Sequence, residues 1–216
     1  MTQSHHMALI LALCALCSSC ELLFPEQAGQ SLAHFPDTAP LAGELAPAFT
    51  LQDLSGNELA LADLLGSKPI VIQLGSYSCP VFRYRRFDMV PLRTAYADRV
   101  HFLVIYTQEA HPLAAPNPYT HEEWVPMINR LAGVVPGPHA NSDVRLSQAR
   151  EAQRRMQSNA TFVVDDMQNT FWQAYGKAPA AAFLLDKHGR VVLRQPWVNP
   201  RELRTHIDLL LRNDPH

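Results

Sequence analysis

Hydrophobic and polar positions along this chain fall into blocks whose period changes several times. Met7 to Cys17 is an unbroken apolar run closed by Ser18-Ser19-Cys20, shorter than the roughly 20 residues a membrane-crossing helix needs. From Glu21 to Leu45 no apolar period persists and Pro, Ala and Gly recur, which predicts a linker. Beyond Pro47 the pattern predicts a strand over Ala48–Gln52, a turn at Ser55-Gly56-Asn57 and a short helix over Leu59–Leu65 ended by Gly66. Pro69–Leu74 reads as a buried strand, and a helix runs from Pro80 to about Ala97. Pro91 should kink or interrupt that helix, because it removes a donor and clashes one turn back. Val100–Tyr106 is a second strand.

Periodicity then fails across Thr107–Ala140, which is dense in Pro and His, although Thr120 and Glu123 form a capping-box pattern for a helix through Leu131. It returns as a helix over Asp143–Met156, a strand over Thr161–Val164 and a helix over Met167–Tyr175 closed by Gly176. Strands over Ala180–Leu185 and Arg190–Arg194 are joined through Asp186-Lys187-His188-Gly189, with Gly189 as the left-handed residue. Asn199, Pro200 and Glu202 open a last helix whose apolar face is Leu203, Ile207, Leu210 and Leu211. This order predicts an α/β fold: a mixed β-sheet flanked by helices, with an insertion after the second core strand and a ligand crevice at the strand ends. It resembles the thioredoxin-like fold, which implies a cis-proline at Pro179 facing the crevice. The expected organisation is a leader over 1–20, a linker over 21–45 and one domain over 46–216.

Net charge is -2 with no basic stripe, so nucleic acid is not an expected partner. Of the four cysteines, Cys14, Cys17 and Cys20 lie in or at the end of the apolar run, leaving Cys79 alone in the domain. That excludes an internal disulfide, and Phe82 excludes a Cys-x-x-Cys pair. The residues before Cys20 resemble the lipobox of bacterial lipoproteins, which implies export, a lipid anchor at Cys20 and residence at the cell envelope, facing the periplasm or the exterior. A short uncleaved anchor running toward Phe24 is the other reading. Cys79 stands at a strand-to-helix turn, where backbone N–H groups and the helix dipole favour a thiolate, helped by whichever of Arg83, Arg85 and Arg86 turns back. A buried structural cysteine is the quieter alternative. His111, His121 and His139 are too irregularly spaced to assign a metal.

Three segments resemble the iodothyronine deiodinases. They are Gly75-Ser76-Tyr77-Ser78-Cys79-Pro80-Val81-Phe82, the strand ending Tyr106-Thr107-Gln108-Glu109-Ala110-His111, and Val163-Val164-Asp165-Asp166-Met167-Gln168-Asn169 followed by Tyr175-Gly176 and Pro179. The resemblance puts Cys79 at the place of that family's selenocysteine. It implies a proton relay through Tyr106, Glu109 and His111, hydroxyl support of the sulfur from Ser76 and Ser78, and a substrate-contacting histidine at His139. It also implies reductive removal of iodine from an iodinated phenol such as thyroxine or an analogue, with no bound cofactor and an external thiol as reductant. Membrane attachment through the N-terminus and a possible homodimer complete the expected partners. The family's Pro-Glu-Arg is here Pro179-Ala180-Ala181. A one-cysteine thiol peroxidase competes, because Ser76 sits three residues before Cys79 and Leu45-Ala46-Pro47-Ala48-Phe49 resembles a peroxiredoxin opening. A non-catalytic thioredoxin-like lipoprotein is the third reading.

Overall fold

The computed structural model describes Leu32 and residues 35–213. The expected leader, its Cys20 anchor and most of the linker lie outside the described residues. In chain order the elements are α1 (Phe35–Thr38), β1 (Thr50–Asp53), β2 (Glu58–Ala60), a 3₁₀ turn (Leu61–Leu64), β3 (Ile70–Gly75), α2 (Pro80–Tyr96), β4 (His101–Tyr106), α3 (Met127–Leu131), α4 (Ser142–Met156), β5 (Thr161–Val164), α5 (Thr170–Ala174), β6 (Ala182–Leu185), β7 (Val191–Gln195) and α6 (Pro200–Asn213). No helix among them is long and apolar enough to cross a membrane.

The strands form one mixed sheet in the order β2-β1-β5-β4-β3-β6-β7. β3, β4 and β5 are parallel neighbours, while β6 and β7 at one edge and β1 and β2 at the other run antiparallel. All six residues of β3 and five of six in β4 are buried, as expected for central parallel strands covered on both faces. α2 packs on α6, α6 lies over β6 and β7, and α4 covers β5. This is the thioredoxin-like arrangement the element order predicts, with residues 107–141 as the insertion after β4.

Several local expectations are corrected. Pro91 does not interrupt α2, because it sits on the exposed side and the carbonyl it frees, that of exposed Phe87, faces away from the core. The Thr120/Glu123 capping box does not form. Asn117 takes over the segment: its Oδ1 accepts from the Tyr119 and Thr120 N–H groups at 2.9 and 2.8 Å, and its Nδ2 donates to the Thr120 hydroxyl. Helix begins only after Pro126. Leu59 and Ala60, read as the start of a helix, instead join Glu58 in β2 and pair with β1. Residues 35–45, read as the end of the linker, pack on the domain. The Phe35 ring lies 6.0 Å from Phe183, and Arg194 donates to the carbonyls of Pro36 and Ala39, both at 2.9 Å. The Ala178–Pro179 bond is trans, since no cis bond occurs among the described residues. Gly176 and Lys177, at φ 88° and 58°, have already reversed the chain before Pro179 is reached.

One glycine sets the approach of helix to sheet. A Cβ on Gly75 would lie 2.2 Å from the fully buried Phe82 ring, so the bare backbone at the end of β3 lets the first turn of α2 close over the strand. Gly75→Ala is expected to cost about 1–3 kcal/mol or more through overpacking. Urea unfolding of the variant beside the wild type measures it, and an unchanged midpoint would show that Phe82 can move aside.

Candidate active site

β3 and β4 end level with each other, Gly75 opposite Tyr106, so the loops that follow them leave the sheet side by side. Their polar groups are then close enough to satisfy one another. The Ser76 hydroxyl accepts from the Ala110 N–H at 3.0 Å and the Ser78 hydroxyl from the His111 N–H at 2.9 Å. In return the Ser78 N–H donates to Glu109 Oε2 at 2.8 Å, and the Tyr77 N–H reaches the Tyr106 hydroxyl at 3.3 Å. Both serines were expected to hydrogen-bond the sulfur. They hold the two loops together instead.

Cys79 is the N-cap of α2, with Pro80 at the first helical position, and is 2% exposed. Burial pushes its thiol up from the ordinary 9.0 to about 11. The N–H groups of Phe82 and Val81 and the charge of Arg83 pull the other way and do not prevail. The expected resting thiolate is therefore corrected to a neutral thiol: the helix terminus is present, but the insertion encloses it. Of the three arginines, Arg83 is the one that turns back. Its guanidinium donates to the Tyr77 carbonyl at 2.5 Å and to Asn129 Oδ1 at 2.6 Å, and Asn129 Nδ2 donates to the Ser78 carbonyl at 2.7 Å.

The sulfur's residue lines a cavity of about 670 Å³ with Tyr84, His111, Tyr119, Trp124, Pro179 and Trp197 among its walls. Pro179 thus faces the cysteine's cavity as expected, though through a trans bond. His111 stands edge-on to Trp124, 4.5 Å between ring centres, with its Nδ1 buried and unpartnered. Burial holds its imidazole down from 6.5 to about 4, only partly offset by the Trp124 backbone and by Glu109, so it is neutral at physiological pH.

Tyr106 and Glu109 are buried behind this wall rather than in it. The Tyr106 hydroxyl donates to Glu109 Oε1, and His139 Nε2 faces the same oxygen at 3.5 Å, longer than a good hydrogen bond. Burial pushes the Glu109 carboxyl up, and its contacts with His139, Ser78 and Tyr106 together outweigh this and hold it below the usual range. Burial, with Glu109 beside it, drives the Tyr106 phenol well above its ordinary value. His139 lines a separate cavity of about 220 Å³ together with Glu109 and Arg145, so the expected contact between His139 and a ligand beside Cys79 is corrected. Its Nδ1 accepts from Arg145 Nε at 2.8 Å, which leaves the ring proton on Nε2, toward Glu109. Arg145 is anchored in turn by the Asp165 and Asp166 carbonyls and by Asn169 Oδ1 at 2.9 Å. No group of three His, Cys, Asp or Glu side chains suited to a metal occurs among the described residues.

Sequence reasoning missed Tyr119, Trp124, Asn129 and Arg145. The first three lie in the stretch without periodicity, and Arg145 looks like any helix-surface arginine until its partners are known. The only signal was compositional: two aromatics and an Asn inside a Pro-rich segment too apolar to be a plain surface loop.

A mixed sheet of this order, with one cysteine at the N-cap of the helix after β3, defines a thioredoxin-like protein of the one-cysteine kind. Solved structures agree on the fold. A secreted disulfide oxidoreductase of Mycobacterium tuberculosis superposes with a TM-score of 0.52 at 17% identity, over 75% of this chain and 96% of that one. A thiol:disulfide interchange protein from Bacteroides sp. gives 0.57 at 14%, over 82% and 94%. The iodothyronine deiodinase family model matches residues 15–210, and the chain belongs to that family. It is 34% identical over 111 residues to the thyroxine 5-deiodinase of Rattus norvegicus, 51% of this chain and 33% of that one. It is 27% identical over 162 residues to the type I iodothyronine deiodinase of Xenopus laevis, 72% of this chain and 58% of the relative. The matched part is thus about a third to somewhat over half of each relative's length.

A thiol held near 11 reacts through a small ionised fraction. Alkylation of Cys79 by iodoacetamide, followed on its own peptide by mass spectrometry, should rise about tenfold per pH unit from pH 7 to 10. A plateau reached by pH 8 would mean that the sulfur is ionised far more readily than its burial implies.

Proposed function

We propose that this chain is a thiol-dependent oxidoreductase that removes iodine reductively from an iodinated phenol of the thyroxine type, with Cys79 as nucleophile. The observation that carries the reading is the pairing of Cys79 and neutral His111 in the wall of one apolar cavity large enough for aromatic rings. In the first step the carbon–iodine bond breaks, iodine passes to the sulfur, and the thiol proton reaches the ring carbon by way of His111. Aryl iodide and thiol become arene and sulfenyl iodide. A small thiol then displaces iodide to give a mixed disulfide, and a second releases Cys79 as the thiol and leaves as the disulfide. Two thiols are oxidised for each iodine reduced, consistent with Cys79 as the only cysteine among the described residues.

Starting from a neutral thiol suits a halogen transfer that also needs a proton. Attack on peroxide, like attack on iodine, needs the sulfur deprotonated, so the two readings part at the substrate and not at the resting thiol. Tyr106, Glu109 and His139 act in this reading as positioning residues. Glu109 reaches the chemistry through the Ser78 N–H and through its field at Cys79 and His111. The setting belongs to the same proposal: a lipid anchor at Cys20 at a bacterial envelope, an external thiol, no bound cofactor and a possible homodimer.

Iodide release from an iodinated phenol with dithiothreitol tests the reaction. It should be lost in Cys79→Ala and fall about 100-fold or more in His111→Ala, while Cys79 alkylation in His111→Ala changes far less. Peroxide consumption without iodide release would replace the reading with a peroxidase. His111 stays neutral above about pH 5 and Cys79 protonated below about pH 10, so kcat/KM for iodide release should be flat between pH 6 and 9. A tenfold rise per pH unit there would make the thiolate the reacting form.

A further inference from the structure

Large apolar side chains left in solvent are concentrated on two helices, α2 and α3, whose Tyr84, Phe87 and Ile128 border the same two recesses. Leu131 at 79%, Met127 at 76%, Phe87 at 65% and Tyr84 at 57% are four of the five most exposed among the described residues. Tyr84 and Phe87 are one helical step apart on α2, and Met127 and Leu131 one turn apart on α3. Ile128 joins them. It borders both the Cys79 cavity and a neighbouring groove of about 520 Å³, and Tyr84 and Phe87 border the same two recesses.

Basic charge surrounds these side chains. Arg85 and Arg86 flank Tyr84 and Phe87 on α2, Arg130 stands between Met127 and Leu131, and Arg154 and Arg155 line the groove. Asp88, 3.7 Å from Arg85, and Glu151, which pairs Arg154 and Arg155, oppose them, as do the exposed Glu122 and Glu123 a few residues before α3. The described chain also reaches this place. Leu32 stands in the wall of the Cys79 cavity, and the apolar run Met7–Cys17 ends fifteen residues upstream.

We propose that the α2–α3 ridge docks on an anionic lipid surface, with Tyr84, Phe87, Met127 and Leu131 entering the interfacial layer and the arginines meeting lipid phosphates. Protruding aromatic and aliphatic side chains ringed by arginine are what such a surface requires. A second copy fits poorly, because an isologous contact would set each ridge's arginines against their own kind. The Cys79 cavity would then border the bilayer, giving apolar ligands a route that avoids water. This inference goes beyond the thiol chemistry and does not rest on it.

The test is oxidation of Met127 by dilute peroxide in the full-length protein, read on its peptide by mass spectrometry, free and on vesicles of mixed zwitterionic and anionic phospholipid. Met127 should oxidise about fivefold or more slowly on the vesicles. Met167, half-buried at the cavity beside Glu109, should keep its rate and so report that the fold is intact. Arg86→Glu combined with Arg130→Glu should remove the protection while Met167 stays unchanged. Equal Met127 rates in vesicle-bound and free protein would overturn the proposal. So would protection that grows with protein concentration in the absence of lipid, which would assign the ridge to a second copy, or a protein that does not bind the vesicles.

Discussion

The structure depends on how two adjacent parallel strands dispose of their backbone polar groups where they end. At Gly75 and Tyr106 the ladder stops, apart from the Thr107 N–H to Gly75 carbonyl bond at 3.0 Å, and the following N–H groups are buried with no strand to receive them. Two serine hydroxyls, one phenol oxygen and one carboxylate take their place. Each buried donor left without its acceptor would cost about 1–3 kcal/mol, a large part of the stability of a domain this size. Ser76, Ser78, Tyr106 and Glu109 therefore earn their positions by architecture before any chemistry is asked of them. Because they are fixed, Cys79 and His111, one residue beyond the serine and two beyond the glutamate, are fixed as well.

Cys79 shows a contest between two consequences of the same geometry. Placing it at the start of α2 gives it helix N–H groups and the Arg83 charge, which favour a thiolate. Closing residues 107–141 over it removes water, which penalises any charge. Burial prevails, as it does at His111 and Tyr106, whereas Glu109 is held in its charged form against that penalty by the phenol, the backbone N–H and the imidazole around it. The resting site is thus two neutral proton carriers facing a cavity, with one buried anion behind them. Passing the thiol proton to the neutral imidazole would create a thiolate and an imidazolium, so such a step is tolerated in an apolar space only as a close pair of opposite charges.

What the sequence made legible follows from this physics. Strong local signals were read correctly: the β3–Cys79–α2 sequence, the helix from about Asp143, which the structure shows to be capped by Asn141, and the Gly189 hairpin all rest on interactions within a few residues. At the last helix the prediction was half right. Asn199 Oδ1 accepts from the Glu202 N–H at 3.3 Å, but the returning contact comes from Gln195, whose Oε1 accepts from the Asn199 N–H while its Nε2 donates to Glu202. Long-range choices were not legible. Ser76 and Ser78 each accept from a backbone N–H more than thirty positions away, which nothing in their own neighbourhood of the sequence signals. Whether Cys79 would be ionised depended on a covering segment without periodicity, so a reading based on the helix terminus alone had the sign of each influence and not their sum.

The departure from the family pattern at Ala180 and Ala181 has the same character. Both residues, like Ala178, are wholly inaccessible and lie where the chain enters β6 beside β3, the Leu74 N–H bonding the Ala181 carbonyl at 2.9 Å. An arginine could not be placed there without burying its charge. The cavity's remaining formal charges, Arg85 and Asp88, stand at its rim, exposed and facing each other at 3.7 Å. An ion pair of that kind contributes at most about 1 kcal/mol, whereas an aromatic ring that buries roughly 150 Å² gains about 4 kcal/mol. Under the proposed reaction, recognition in this cavity would rest mainly on the fit of apolar rings against Tyr119, Trp124 and Trp197.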